Sequence, residues 1–409
     1  MSLWRPPSHS PRRGFWARLS GFLVGSGLSS ALVGAMVVPL AGQPGQLQML
    51  RTFSTASPAT VLHWTPGVES ALVIPSLSVA LDSPDDHAVP IASLTKLMTA
   101  LVVLERLPLA LGETGPCLTV TASDVALEQH DVLTDQSNAA IALGERLCES
   151  TLLAGLLIHS ASDYATLLAR LAYGSSALTL AHMNALAHVL GLRATHYVDL
   201  SGFDPGDVSS ALDQGRLASI LMTYPVVRSI VDQPTVTLPV AGTLGTYQPL
   251  LGTNHVIGVK SGRTSAAGGT DVLAMEFPLS PSVTSVAYSV VLGAQGGDLI
   301  TPAALDALHL VQSALSGVRQ VRLPTGSPIA RFGWPGSTTT FVTSAPLSFN
   351  YWPQWSTSRP GFGLALPAPG RPVKPGEVVG EVVEPFTHTH VPLVTSVAAA
   401  PPPWWQRLR

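Results

Sequence analysis

The sequence predicts a mixed α/β (α+β) fold followed by a small all-β domain, and three observations support this prediction. Helical patterns follow one another closely in the first half of the chain, at 91–107, 136–148, 151–158, 162–173 and 177–190. Runs rich in β-branched residues and bounded by Gly and Pro predict strands at 271–277 and 284–294. From about Val321 the helical patterns end, and short alternating pieces lie between Pro/Gly turns. We therefore expect a larger mixed domain over 70–320 and a small β domain over 321–395.

The first 50 residues have the pattern of an export leader. Residues 1–18 contain four arginines and no acidic residue, and residues 19–42 contain no charge. An apolar stretch of this length can span a bilayer, and the preceding arginines favour an N-terminus kept inside. The segment is either a cleaved signal peptide or a retained membrane anchor, since no clear small-x-small cleavage site follows it. The rest of the chain, after a linker over 51–69, is expected to lie outside the cytoplasm.

The larger domain begins with a strand, turn and strand over 71–81. The run 91–107 is apolar almost all round, which is typical of a buried central helix. A strand is also expected at 117–121, further strands within 227–240 and 255–262, and a helix over 301–315 that opens with Thr-Pro. The chain ends in a Pro/Trp-rich tail over 396–409.

The composition excludes several classes of protein. Charged residues make up 11% of the chain and the formal net charge is −3, so a nucleic-acid partner is not expected. The hydrophobic fraction of 46% is too high for a disordered chain. The 36 Gly and 35 Pro are too many for a polytopic membrane protein.

Two cysteines, Cys117 and Cys148, are present. In an oxidising compartment such a pair is a candidate disulfide. Two buried reduced thiols are the alternative, and the residues alone leave both open.

Lysine is rare in this chain, and two of the three lysines lie in contexts that suit catalysis. Lys96 lies three residues after Ser93 in the apolar helical run, so the two side chains share one helix face. A serine hydroxyl needs a neighbouring base to become a nucleophile. A buried lysine can be that base because desolvation disfavours its ammonium form.

Lys260 stands at the end of a predicted strand that runs into the glycine-rich segment GVKSGRTSAAGG (258–269). A cation followed by hydroxyl groups suits the binding of a carboxylate. A glycine between them lets a substrate backbone lie along the strand.

Four segments, in this order, resemble the serine penicillin-recognising enzymes, and within them the low-molecular-weight D-alanyl-D-alanine carboxypeptidases. They are PIASLTKLMTALVVLE (90–105), GERLCESTLLAGLLIHSASDYATLLA (144–169), MNALAHVLGLRATHYVDLSGFD (183–204) and GVKSGRTSAAG (258–268). The β domain, with PVKPGEVVGEVV (372–383), is more loosely similar to the C-terminal domain of that family. The resemblance implies a β-lactamase/transpeptidase-like fold, in which helices flank an antiparallel sheet beside an all-helical part.

The same resemblance implies roles for individual residues. Ser93 would be the acylated nucleophile, Lys96 its base, and Ser160 a relay of protons toward the leaving amine. The terminal carboxylate of the substrate would be bound by the K-S-G strand, through Lys260, Ser261, Gly262 and Thr264. The backbone N–H groups of Ser93 and Arg263 would form the oxyanion hole.

Two departures from the family pattern affect these roles. The family's S-x-N is here Ser160-Ala161-Ser162, so a shorter hydroxyl replaces an amide that would both donate to and accept from the substrate. Ser162 is still expected to contact the substrate. The reaction rate or the substrate range of the enzyme is expected to differ from the family's. The change from K-T-G to K-S-G keeps the hydroxyl. The resemblance also places Cys117 and Cys148 near each other, which favours the disulfide.

The expected function is a D-Ala-D-Ala carboxypeptidase that trims peptidoglycan stem peptides and is acylated by penicillins. A β-lactamase-like hydrolase is one alternative, although no Glu lies between Glu149 and Glu276 to activate water as class A enzymes do. A catalytically weakened wall-binding protein, suggested by Ser162, is the other. No cofactor or metal is expected, since His388 and His390 share a strand face without a third ligand.

Overall fold

The computed structural model describes residues 45–51, 61–84, 87–352, 361–367, 371–384 and 388–402. The apolar leader segment at 19–42 and the tryptophans of the tail lie outside these residues. Within the described ranges, no helix combines the length and the apolar character that crossing a bilayer requires.

A five-stranded antiparallel sheet forms the centre of the larger domain. Its strands are β2 (Glu69–Ile74), β3 (Val79–Asp82), β10 (Val256–Thr264), β11 (Gly268–Ser280) and β12 (Val283–Ala294). Their order across the sheet is β10-β11-β12-β2-β3. Alternating side chains bury one face against the helical part and the other against the helix Ile300–Leu315. The strands expected at both ends of the domain are therefore confirmed.

Eight α-helices are described, and seven of them precede the long strands β10–β12. They are α1 (Thr95–Arg106), α2 (Ala122–Leu133), α3 (Glu149–Ile158), α4 (Ser162–Tyr173), α5 (Ser176–Val189), α6 (Ala211–Leu221), α7 (Pro225–Val231) and α8 (Ile300–Leu315). Helix α1 is the central one: ten of its residues are buried, and it packs against α3, α4, α5 and α6. It ends just before Pro108, since the residue before a proline avoids the helical conformation. The all-round apolar pattern of 91–107 thus predicted its position correctly.

Short strand pairs complete the larger domain. They are β4 (Val89–Pro90) with β7 (Val208–Ser209), β5 (Cys117–Thr119) with β6 (Arg146–Cys148), and β8 (Thr235–Leu238) with β9 (Gly242–Gly245). Cys117 and Cys148 stand directly opposite each other in β5 and β6, and a disulfide joins them.

Some local predictions were wrong. The helix expected at 136–148 is a loop that ends in β6, and the strand expected at 227–231 belongs to helix α7. Helices α2 and α6 were not predicted. Both have polar caps that the sequence displays, because Thr121 forms a capping box with Asp124 and the Ser210 hydroxyl accepts from the Asp213 backbone.

The C-terminal region is all-β, as predicted, and begins at Arg319. Its strands are β13 (Arg319–Leu323), β14 (Pro328–Trp334), β15 (Ser337–Thr343), β16 (Leu347–Tyr351), β17 (Gly361–Leu364), β18 (Val378–Val383) and β19 (His390–Thr395). Five of these strands form one sheet with β1 (Gln46–Met49), in the order β1-β14-β15-β19-β18-β17, while β13 and β16 pair separately. Strand β1, from the end of the expected leader segment, is an edge strand of that sheet and pairs with β14. Trp352 is fully buried among core residues of the larger domain, and Asn350 donates to the Pro278 carbonyl at 2.6 Å, so the two regions are in contact.

Candidate active site

Ser93 and Lys96 form a hydrogen-bonded pair at the start of the central helix. Ser93 lies in a 3-10 turn (Ala92–Leu94) that continues directly into α1. The Lys96 Nζ lies 2.9 Å from the Ser93 Oγ and donates to the Ser201 carbonyl at 2.8 Å. Lys96 is 1% exposed, whereas Ser93 is half-buried. A hydroxyl group within reach of solvent is thus paired with an amine that is shielded from solvent.

Burial determines the protonation of Lys96. Desolvation lowers its pKa from 10.5 to about 8, against the charges of Asp199, Asp131, Asp163 and Asp207, which raise it. The buried site therefore disfavours the ammonium form more than four nearby carboxylates favour it. Lys96 can exchange its proton near neutral pH, which an arginine could not do.

The backbone of the turn Ala92–Leu94 is held by close contacts with the segment 198–208. Ala92 has a φ of +49°, a left-handed conformation that is uncommon for residues other than glycine. A Cβ on Gly202 would lie 1.7 Å from the Ala92 carbonyl oxygen, so only glycine permits this approach. The buried Asp207 carboxylate also links the start of α1 to the segment 198–208. It accepts from the Thr95 hydroxyl at 2.6 Å and from the Val198 N–H at 2.6 Å.

Ser160 and Ser162 lie at the junction of α3 and α4, two helices that pack against α1. Ser160 has a φ of +63°, and its buried hydroxyl has no hydrogen-bond partner among the described residues. Ser162 is 8% exposed and its N–H donates to the Ser137 carbonyl at 2.7 Å. Asn138, which follows Ser137, donates to the Gln136 carbonyl. The junction of α3 and α4 therefore carries two serine hydroxyl groups, those of Ser160 and Ser162.

Strand β10 runs alongside the turn Ala92–Leu94. A Cβ on Gly262 would lie 2.7 Å from the backbone nitrogen of Ser93, so the absence of a side chain is what brings the strand this close. Lys260, two residues earlier on the same strand, is buried, and its Nζ donates to the Ser261 carbonyl at 2.6 Å. Its pKa lies well below the ordinary value because of burial and then the charge of Lys96, with Asp271 opposing.

The hydroxyl of Ser261 is not directed at Ser93. It donates to Asp271 Oδ1 at 2.9 Å, on the neighbouring strand, and Asp271 also accepts from Gln248 Nε2 at 2.9 Å. Burial raises the pKa of Asp271 to about 7. Further along β10, Arg263 is exposed and Thr264 is half-buried. The Thr264 Oγ1 accepts from the Ala267 N–H at 3.0 Å, which leaves its own proton available to a ligand.

The sequence-based prediction missed several acids around this site, three of them buried and Asp199 half-buried. Asp131, Asp163, Asp199 and Asp207 all act on Lys96. Burial raises the pKa of Asp131 to about 6 and that of Asp163 to about 7. Asp131 and Asp163 lie in helices, whereas Asp199 and Asp207 lie in a loop. Such scattered aspartates share no spacing pattern, so the sequence offered little to find them. In the C-terminal region, His390 pairs with Glu381 at 3.0 Å, and no metal-binding cluster occurs among the described residues.

Comparison with known proteins matches the chain to one family. A family model described as D-alanyl-D-alanine carboxypeptidase covers residues 73–295, more than half of the chain. A D-alanyl-D-alanine endopeptidase of Pseudomonas aeruginosa is 32% identical over 208 residues, which are 48% of this chain and 62% of that protein. The D-alanyl-D-alanine carboxypeptidase DacB2 of Mycobacterium tuberculosis is 33% identical over 153 residues, 37% of this chain and 48% of that one. The matched part thus spans about half to three fifths of these relatives.

A solved structure supports the fold over a greater length. Penicillin binding protein 5 from Haemophilus influenzae superposes with a TM-score of 0.56 at 20% identity, over 85% of this chain and 99% of that one. The predicted fold class, a β-lactamase/transpeptidase-like domain followed by a β-rich region, is therefore confirmed. With the family model matched across both the Ser93–Lys96 pair and the Lys260 strand, the chain belongs to the D-alanyl-D-alanine carboxypeptidase family.

Proposed function

We propose that this protein is a serine carboxypeptidase that removes the terminal D-alanine from the D-Ala-D-Ala end of peptidoglycan stem peptides. The observation that carries the proposal is the 2.9 Å contact between the Ser93 Oγ and a fully buried Lys96 whose pKa is lowered to about 8. This pair has the two properties that serine acylation needs: a hydroxyl open to substrate and a base that can be neutral.

The reaction proceeds through an acyl-enzyme. Neutral Lys96 takes the proton of Ser93, and Ser93 Oγ attacks the carbonyl carbon of the penultimate D-alanine. The tetrahedral intermediate collapses as the peptide C–N bond breaks, and a proton passes through Ser160 to the leaving amine of D-alanine. Water then attacks the ester, which frees Ser93 and the shortened peptide. The backbone N–H groups of Ser93 and Arg263 stabilise the oxyanion in both steps.

The K-S-G strand binds the carboxylate of the leaving D-alanine. Lys260 supplies the charge and Thr264 donates its free hydroxyl proton. Burial, and then the charge of Lys96, disfavour the ammonium form of Lys260 and lower its pKa. An incoming carboxylate favours that form, so substrate binding recharges the lysine. The Ser261 hydroxyl donates to Asp271 instead, and this hydrogen bond holds β10 against the neighbouring strand β11.

Release of D-alanine tests this function directly. The purified full-length chain is incubated with a synthetic acyl-D-Ala-D-Ala peptide, and free D-alanine is measured for the wild type and for Ser93→Ala. We expect release by the wild type and none by the variant. Release that persists in Ser93→Ala, or no release by the wild type, would refute the proposal.

A second candidate is cleavage of an internal D-alanyl-D-alanyl bond, which the name of the Pseudomonas aeruginosa relative suggests. An internal bond offers no terminal carboxylate for Lys260. A peptide amidated at its C-terminus therefore separates the two activities: a carboxypeptidase loses most of its rate on it, whereas an endopeptidase retains it.

We also propose that penicillins acylate Ser93 and that the protein works outside the cytoplasm, either secreted or held by its N-terminal segment. A penicillin label that persists for hours supports the peptidase, whereas rapid turnover of the label supports the β-lactamase-like alternative. The absence of any label would leave only wall binding.

A further inference from the structure

Ser160 depends on its backbone for its position. Its buried hydroxyl has no hydrogen-bond partner among the described residues, so no hydrogen bond of its own fixes the side chain. Its φ of +63° is uncommon for serine, and such a conformation persists only where the surrounding structure imposes it. The contacts of the neighbouring residues in the chain therefore decide where the Ser160 hydroxyl lies.

The preceding residue, His159, is held through both its backbone and its side chain. Its N–H and that of Ala161 donate to the Gly155 carbonyl at 3.2 and 3.1 Å, which folds the backbone over the end of α3. The His159 Nδ1 lies 2.9 Å from the Gly245 carbonyl oxygen, and because a carbonyl can only accept, Nδ1 is the donor. The imidazole also stacks on the Tyr247 ring, with centroids 5.1 Å apart and planes at 27°.

The segment Gly245–Gln248, which holds this imidazole, also reaches the opposite wall of the site. The buried Gln248 donates through Nε2 to Asp271 Oδ1 at 2.9 Å. The same oxygen accepts from Ser261, in the K-S-G strand, at 2.9 Å. The segment therefore links the end of α3, next to Ser160, to strand β10.

A proton donor to the leaving amine needs a fixed position. The amide breaks only as its nitrogen gains a proton, because an amine anion is a very poor leaving group. In the proposed reaction that proton passes from Lys96 through the Ser160 Oγ to the nitrogen of the leaving D-alanine as the C–N bond breaks. A displacement of about 1 Å in such an arrangement can cost about 100-fold in rate.

We propose that His159 is a positioning residue for Ser160: held by the Gly245 carbonyl and the Tyr247 ring, it keeps the Ser160 hydroxyl where the leaving amine receives its proton. The inference rests on the proposed peptidase function and adds a residue to its leaving-group step. His159 acts through Ser160 and does not touch the reacting atoms. Its contribution should therefore appear in reactions whose leaving group needs a proton.

The test compares two substrates that differ in their leaving group. They are an acyl-D-Ala-D-Ala peptide and its ester analogue acyl-D-Ala-D-lactate, and kcat/KM is measured for the release of D-alanine and of D-lactate. The ester depends less on a proton donor, because its leaving alkoxide is far less basic than an amine anion. His159→Ala should lower kcat/KM about 10- to 100-fold for the peptide and no more than about threefold for the ester. Steps common to both substrates, such as the activation of Ser93, cancel in the ratio.

Further variants separate the two side-chain contacts of His159. His159→Asn keeps an N–H two bonds beyond Cβ, as Nδ1 is, and should recover most of the activity on the peptide. Tyr247→Phe keeps the stacking ring and should match the wild type, whereas Tyr247→Ala should lower the peptide-to-ester ratio of kcat/KM. If His159→Ala does not fold, the comparison of the two substrates is made on Tyr247→Ala, which retains the hydrogen bond to Gly245.

His182→Ala is the matched control. His182 is an exposed histidine on α5 that stacks on Tyr173, with ring centroids 4.5 Å apart and planes at 29°. The control loses the same ring from the same kind of contact, yet kcat/KM for both substrates should equal that of the wild type. An equal fall in the peptide-to-ester ratio for His182→Ala would refute a role specific to His159.

The outcomes separate the positioning role from the peptidase function. If the wild type cleaves neither substrate, the peptidase function fails and the role of His159 falls with it. If the wild type cleaves both, and His159→Ala lowers the two values of kcat/KM equally or leaves them unchanged, the peptidase function stands and the positioning role is refuted.

Discussion

The rate at which Ser93 is acylated should follow the neutral fraction of Lys96. With a pKa of about 8, roughly one tenth of Lys96 is neutral at pH 7 and roughly nine tenths at pH 9. The second-order acylation rate should therefore rise about tenfold between these pH values and then level off. The magnitude comes from the burial of Lys96, since a solvated lysine would titrate near 10.5.

The assay is the time course of labelling by a fluorescent penicillin between pH 6 and pH 10. Lys96→Arg is the control, because a guanidinium remains charged throughout this range. It should acylate at least about 100-fold more slowly, since a general base contributes at least that much, and its rate should not rise with pH in the same way. A flat profile for the wild type, or a midpoint near 10.5, would refute the assignment of Lys96 as the base.

The lowered pKa of Lys96 also makes the stability of the folded chain depend on pH. The pKa of Lys96 is lower in the folded chain than in the unfolded one, so the folded state binds fewer protons between pH 8 and 10.5 and stability rises with pH across that window. Below pH 8 the full free-energy cost of holding the charged Lys96 in its buried site, about 3 kcal/mol, is present. Lys96→Met should therefore be more stable than the wild type by up to that amount at pH 7, and its advantage should shrink above pH 8. Denaturant unfolding at several pH values measures this difference, and an advantage that does not change with pH would contradict it.

Three further predictions concern the site and its frame. Gly262→Ala places a methyl group 2.7 Å from the Ser93 nitrogen, so the surrounding backbone must shift. Acylation should slow by about 10- to 100-fold and the free energy of unfolding should fall by about 1–3 kcal/mol, whereas unchanged labelling would contradict this packing. Ser162→Asn restores the amide of the family pattern and should raise kcat/KM for D-alanine release about tenfold, whereas an equal or lower value would show that this chain does not use that contact. Replacing Cys117 and Cys148 together by alanine removes the disulfide seen in the structure and should cost roughly 3 kcal/mol in free energy of unfolding, and an unaltered unfolding curve would show that the bridge is not formed.

The sequence predicted the parts of the fold that depend on strong local patterns. The central helix, the helices at 162–173 and 177–190 and the long strands were all found, because their apolar runs are long and periodic. The strand expected at 227–231 is a helix, although Pro225 at its start and apolar residues at 226, 227, 230 and 231 have helical spacing. β-branched composition outweighed that spacing in the prediction. The loop at 136–148 has buried Ala139 and Ile141, whose apolar character also suggested a helix.

Some features of the candidate active site could be predicted from the sequence, and others could not. Short motifs that resemble the family pattern contain Ser93, Lys96, Lys260 and Gly262. These residues could therefore be assigned to one site from the sequence. The hydrogen bond from Ser261 to Asp271 depends on the register of two strands, which the sequence does not display.

The measurement that bears most directly on the Ser93–Lys96 mechanism is the mapping of the acyl-enzyme. The full-length chain is treated with a penicillin, its intact mass is measured, and the modified peptide is identified. One penicillin per chain is expected, because ring opening loses no atoms, and the label should lie on Ser93 and be absent from Ser93→Ala. A label on another residue, or D-alanine release without any acylation of Ser93, would contradict the mechanism.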